Sequence, residues 1–217
     1  MFRRMVPLAL VATLSLVAPC LAQNKNSSIL GRNLLKNGNI EAVTSDNKKV
    51  PGWGTSPALS EAVYGSEAGE WDWGLSGCAT CQKHYLRLAF GTTTHEASVS
   101  QTVNVTPAAR QIDAGKVTAH LAAWLGGYLK SDTTGTIEAS FQDGSGKVLG
   151  TLSTDPFDSS TLPQAPRGST GLTRCEKTGA VPDGTRKIVY TFDAKSTGGS
   201  GDYLGLGDNF SLVLTSP

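Results

Sequence analysis

The sequence predicts an all-β fold: two antiparallel sheets packed face to face. Three observations carry that expectation. Short runs of residues alternate apolar and polar with a period of two. Turn chemistry built on Gly, Pro, Asp and Ser separates those runs. Long helical periodicity is missing from a chain of 217 residues that holds 25 glycines.

The first residues read as an export leader. Arg3 and Arg4 supply positive charge, Val6 to Val17 is an uncharged apolar run, and Cys20-Leu21-Ala22 offers a small-residue cleavage site. The run is short for a bilayer span, so the reading is a signal peptide over 1–22, a secreted chain and no membrane span. Residues 23–32 are polar and aperiodic and read as a flexible lead-in. A single domain is expected over 33–217.

The strands follow in order. Asn33 to Glu41 reads as an opening strand that delivers a carboxylate. Tyr85 to Phe90 places Leu86, Leu88 and Phe90 on one face. Ala97 to Val105 aligns Val99, Gln101, Val103 and Val105. Lys116 to Leu125 sends Val117, Ala119, Leu121, Ala123 and Leu125 one way, and Thr118, His120, Ala122 and Trp124 the other. Thr136 to Gln142 aligns Ile137, Ala139 and Phe141. Asp143-Gly144-Ser145-Gly146 then turns the chain back through Lys147 to Gly150. Asp155 to Gly171, rich in Pro, Ser and Thr, reads as a long surface loop. Val181-Pro182-Asp183-Gly184-Thr185 is a second strong turn and feeds a strand with Ile188, Tyr190 and Phe192 aligned. The closing strand carries Phe210, Leu212 and Leu214 on one side. Apolar faces of this kind pack across a core about 10 Å thick.

Charge and cysteine content narrow the function classes. The chain holds 19 basic and 18 acidic residues, and without Arg3 and Arg4 the basic count is 17. That balance gives no electrostatic reason to expect nucleic-acid binding or adsorption to an anionic membrane. After leader removal Cys78, Cys81 and Cys175 remain, and three cysteines cannot all pair within one chain. One disulfide is expected. Cys78–Cys81 would close a very short loop, and a bridge to Cys175 would constrain the unfolded chain more; the partner choice stays open.

The two ends of the chain carry a resemblance. Asn33-Leu34-Leu35-Lys36-Asn37-Gly38-Asn39-Ile40-Glu41, then Pro51-Gly52-Trp53, stand near the start, and Gly207-Asp208-Asn209-Phe210-Ser211-Leu212 stands at the close. This bracket resembles the galactose-binding-domain-like β-sandwiches, the jelly-roll fold of many bacterial carbohydrate-binding modules. Ala123 to Tyr128, Phe141 to Gly150 and Val181 to Arg186 are similar to recurring strand-and-turn phrases there. The resemblance implies a two-sheet jelly roll in which first and last strands lie together. It also implies a structural calcium held by Glu41 and Asp208. The departures are Asn39 and Ile40, where a glycine and an aromatic are common. Without the metal, both carboxylates would read as turn caps.

Sugar rings present an apolar C–H face that an aromatic side chain can cover while polar groups bond the hydroxyls. Trp71-Asp72-Trp73 is the best local candidate, joined by Tyr128 near a turn and by Trp124 with His120 on one strand face. Other polar candidates are His84, Arg87, Gln101 and Asp132. Trp53 reads as packing. No nucleophile elbow, HExxH motif or phosphate-cradling loop stands in the sequence, so catalysis is not expected. The resulting expectation is a secreted, non-catalytic carbohydrate-binding protein whose partner is a glycan or polysaccharide. The competing class is a structural or adhesive protein that binds an extracellular protein partner. A hydrolase or lyase on the same scaffold ranks last.

Overall fold

The computed structural model describes residues 28–44, 50–54, 59–64, 78–89, 96–127, 133–158, 171–196 and 204–217. The residues assigned to the leader, and Trp71, Asp72, Trp73, Tyr128 and Asp132, lie outside them.

Among the described residues ten strands build two sheets. The first sheet contains β1 (Leu59–Val63), β2 (His84–Ala89), β4 (Thr118–Gly127), β8 (Gly171–Ala180) and β10 (Leu204–Thr215), in the order β1-β2-β10-β4-β8. The second runs β3 (Glu96–Asn104), β9 (Lys187–Ser196), β5 (Thr133–Gln142), β6 (Val148–Ser153), and the two-residue β7 (Phe157–Asp158) pairs with β5. Every pairing is antiparallel. Among the described residues a 3-10 turn (Thr106–Ala108) runs into one short α-helix, α1 (Ala109–Asp113), between β3 and β4. The fold is the all-β, two-sheet sandwich that the alternation predicts, in the jelly-roll form that the resemblance implies.

The core lies between the sheets, and the period-two patterns name its members. Leu86 and Leu88 from β2, Ala119, Leu121, Ala123 and Leu125 from β4, and Leu212 and Leu214 from β10 are fully buried. Ile137, Ala139, Phe141, Ile188, Tyr190 and Phe192 face them from the second sheet. Burying a large aliphatic or aromatic side chain contributes about 1.5–3 kcal/mol each. Trp53 packs as expected. Its ring centroid sits 4.7 Å from that of Phe210 and its indole N–H donates to the Asn37 carbonyl at 3.1 Å. Gln101 is the one polar residue on the inward face of β3. It is matched by a two-way amide bond, accepting from Lys36 N–H at 3.0 Å and donating to the Lys36 carbonyl at 2.8 Å.

The two ends of the chain do lie together, but the opening segment is not a regular strand. A single bridge joins Asn33 to Val213. Gly31 N–H donates to the Leu214 carbonyl, Leu34 N–H to Leu212 and Phe210 N–H to Gly38. Turns replace extended backbone because Asn37 and Ile40 take positive φ, 49° and 56°. The segment therefore flanks the lower half of β10 where β2 has ceased to pair. The sandwich also takes hold before Asn33, since Ile29 and Leu30 pack against the core. Two strands escaped the sequence pattern, β1 and β8. The segment after Asp155 also gives β7 before leaving the described residues.

Candidate functional site

Register places the outward side chains of the first sheet in rows. Asp208 on β10 stands opposite Trp124 on β4, and Trp124 stands opposite Arg174 on β8. Ala122 pairs with Ser211 and Glu176, and His120 with Val213 and Thr178. His120 and Trp124 thus share a face, as two residues of a strand separated by four must. The pairing register of β10 shifts between Asp208 and Ser211, and Asn209 there takes φ 48°.

That irregularity opens a cavity of about 520 Å³ on the outer face. Its polar lining comes from three directions. Asn39 belongs to the opening segment, Thr80 to the loop before β2, and His120, Arg174, Asn209 and Ser211 to the sheet. Amide, hydroxyl, imidazole and guanidinium groups together offer both donors and acceptors. Glu176 balances the charge at the rim: one of its oxygens accepts from Arg174 Nε at 3.0 Å and lies 3.5 Å from His120 Nε2. The neighbouring Trp124 indole N–H is buried and has no acceptor, an uncommon state for a buried donor.

His120 is therefore the sequence-selected polar residue that lines the cavity, with Trp124 beside it in the adjacent row. The others are used elsewhere. Gln101 is spent on Lys36, and Arg87 Nε donates to Ser60 Oγ at 3.0 Å. His84 is held between two carboxylates, its Nδ1 3.1 Å from Glu41 and its Nε2 3.3 Å from Glu61. Sequence reasoning missed Asn39, Thr80, Arg174 and Asn209. Asn209 stands beside Asp208 in the quoted closing phrase, so that phrase was a usable signal. Arg174 carried none, because β8 shows no alternation.

The two carboxylates expected to hold calcium, Glu41 and Asp208, do not line the cavity. Glu41 Oε1 accepts the N–H groups of Lys83 and His84, both at 2.8 Å, and Oε2 faces the His84 ring. Burial pushes this carboxyl up, but the hydrogen bonds from His84 and Lys83 outweigh it and hold the group below its ordinary value. Asp208 is completely buried. Its Oδ2 accepts from Tyr64 Oη at 2.9 Å and its Oδ1 from the Asn209 N–H. Burial, reinforced by the charge of Glu41, pushes Asp208 up to about 6 against the pull of those two donors.

Calcium requires six to eight oxygen ligands. What stands beside Asp208 instead is sulfur. Cys78 and Cys81 form the disulfide, Cys175 is free, and the two Sγ atoms and an Asp208 oxygen lie within 4.8 Å of one another. Each oxygen of Glu41 and of Asp208 already has a hydrogen-bond partner that a calcium ion would have to share or displace. No step is routed through one.

No family profile matches the chain, and no curated protein matches it. Solved structures do. A cyclase from Fischerella sp. TAU, in complex with 4-(1H-indol-3-yl)butan-2-one, is similar at TM-score 0.55 and 11% identity, covering 85% of this chain and 98% of that one. A family 16 carbohydrate-binding module is similar at TM-score 0.50 and 15% identity, covering 83% and 99%. An enzymatically active domain of a bacteriophage tailspike protein is similar at TM-score 0.48 and 17% identity, covering 84% of this chain but 21% of that one. The first two likenesses show the fold alone, a β-sandwich shared with a carbohydrate-binding module.

Proposed function

We propose that this chain is an exported, non-catalytic carbohydrate-binding protein whose ligand occupies the cavity on the outer face of the first sheet. The observation that carries the reading is the chemistry of that cavity. A concave space of about 520 Å³ lined by Asn39, Thr80, His120, Arg174 and Asn209 suits a ligand with many hydroxyls. Trp124 stands in the adjacent row, opposite Arg174, and does not itself line the cavity. The fold shared with a carbohydrate-binding module supports the reading by analogy, and the cyclase on the same fold is a reminder that fold alone does not decide between binding and chemistry.

The rival reading, an extracellular protein partner, would be favoured by an apolar patch. Among the described residues Val148 is the one exposed large hydrophobic. The polar cavity therefore weighs toward sugar.

A glycan array probed with the purified chain tests the proposal. Binding to at least one saccharide class is expected, unchanged by chelator. His120→Ala and Arg174→Ala alter solvent-accessible side chains, and each is expected to weaken binding about tenfold, the loss of one good hydrogen bond. Failure to bind any saccharide contradicts the reading.

A further inference from the structure

The Cys78–Cys81 disulfide has a poor structural rationale. It closes so short a ring that it constrains the unfolded chain less than any longer bridge would. Both cysteines are partly exposed. Yet groups suited to another state of these sulfurs surround them. Asn209 Nδ2 points at both, 3.4 Å from Cys78 Sγ and 3.6 Å from Cys81 Sγ. Asp208 is fully buried within 4.8 Å of them, and among the described residues no cationic side chain forms an ion pair with it.

We propose that reduction of this disulfide creates a binding site for a borderline-soft divalent cation of the zinc class, with the Cys78 and Cys81 thiolates and the Asp208 carboxylate as its protein ligands. Two cysteines separated by two residues have the spacing of zinc-binding knuckles, and zinc accepts sulfur and carboxylate together in a tetrahedral centre. Ligand atoms in such a centre stand roughly 3.5–3.8 Å apart, given Zn–S bonds of about 2.3 Å. The carboxylate oxygen thus lies at most about 1 Å beyond such a spacing, and the sulfurs part once their bond is broken. The surroundings are those of a supported ligand set. Tyr64 Oη holds Asp208 Oδ2 at 2.9 Å, and the Asn209 amide donates toward the sulfurs. The fourth position falls to solvent.

The step balances with a dithiol reductant. Two electrons break the Cys78–Cys81 bond, two protein thiols form, and the reductant leaves as its own disulfide. The cation then replaces the two thiol protons, which pass to solvent. Because Thr80 lies between the cysteines and lines the cavity, the metal centre would form in the cavity wall. The inference does not depend on what the cavity binds.

The test uses the full chain carrying Cys20→Ser and Cys175→Ser, so that only the pair remains. It is reduced with a phosphine under anaerobic conditions, since a dithiol would itself bind metal, and titrated with Co²⁺. One equivalent is expected to produce sulfur-to-cobalt charge-transfer absorption and visible bands of a tetrahedral centre. One equivalent of Zn²⁺ is expected to bleach them. The oxidised chain should show neither. Cys78→Ser should abolish the charge-transfer signal, and Asp208→Asn should weaken Co²⁺ affinity at least tenfold. Should Asp208→Asn fail to fold, Tyr64→Phe replaces it, with a 10- to 100-fold loss expected for a supporting hydrogen bond. Absence of charge transfer in the reduced chain overturns the proposal. So does a signal untouched by Cys78→Ser, or wild-type affinity in the carboxylate variant and its replacement.

Discussion

Asn33 uses its whole side chain to hold the two ends of the protein together. Its Nδ2 donates to the Phe210 carbonyl at 2.9 Å, while its Oδ1 accepts from Leu212 N–H at 3.0 Å and Leu35 N–H at 3.1 Å. Asn33→Ala should therefore cost about 1–2 kcal/mol, read as a lower urea midpoint with unchanged m-value; an unchanged midpoint would contradict this role. Asp208 makes a prediction of opposite character. Its folded-state value, raised from 3.8 to about 6, means the folded protein binds the proton more tightly than the unfolded chain. The stabilisation is complete below about pH 4 and is lost as pH rises through about 6, a change of about 3 kcal/mol. Glu41 behaves oppositely, because its value is lowered: its contribution is present above its ordinary value and lost as acid protonates it. Melting temperature followed against pH should fall between pH 4 and 7 in the native chain and stay flatter in Asp208→Asn. Equal slopes would contradict the burial argument.

At the scale of the element, legibility followed burial. β4, β5 and β9 each bury one face completely, so their apolar residues repeat every second position and name their own strands. The turns after Gln142 and Val181 were equally legible, since Asp143 Oδ1 accepts from Ser145 and Lys147 N–H and Gly146 takes φ 94°. β8 was not legible because it is an edge strand with no fully buried residue, leaving Gly171–Ala180 without alternation. The opening segment misled in another way. Its apolar residues are buried as a strand's would be, but they are carried on turns. Gly38 fixes that arrangement, because a Cβ there would stand 2.3 Å from the Phe210 carbonyl oxygen. Gly38→Ala should cost about 2–3 kcal/mol by forcing the segment off β10. Chemical denaturation showing wild-type stability would contradict that packing. The site was half legible. His120 and Trp124 follow from one strand's alternation, whereas Arg174 and Asn209 reach them only through pairing register and an irregularity in β10, which no single segment encodes.

At the scale of the whole molecule, the sheets enclose the core and the irregular stretch of β10 borders the cavity. Two five-stranded sheets enclose one continuous core, so the short disulfide should add little. Cys78→Ser with Cys81→Ser is expected to cost about 2 kcal/mol or less, the entropy of so small a ring, and chelator is expected to leave the oxidised protein's melting temperature unchanged. A large shift under chelation would restore an oxygen-ligated metal to the account. The central claim concerns where a sugar binds, and a two-dimensional amide NMR titration tests it most directly, using a saccharide selected on the array. The account predicts saturable shifts concentrated at Asn39, Thr80, His120, Arg174 and Asn209. Shifts confined to the opposite sheet around Thr136 and Asp193, or none for any saccharide, would contradict it.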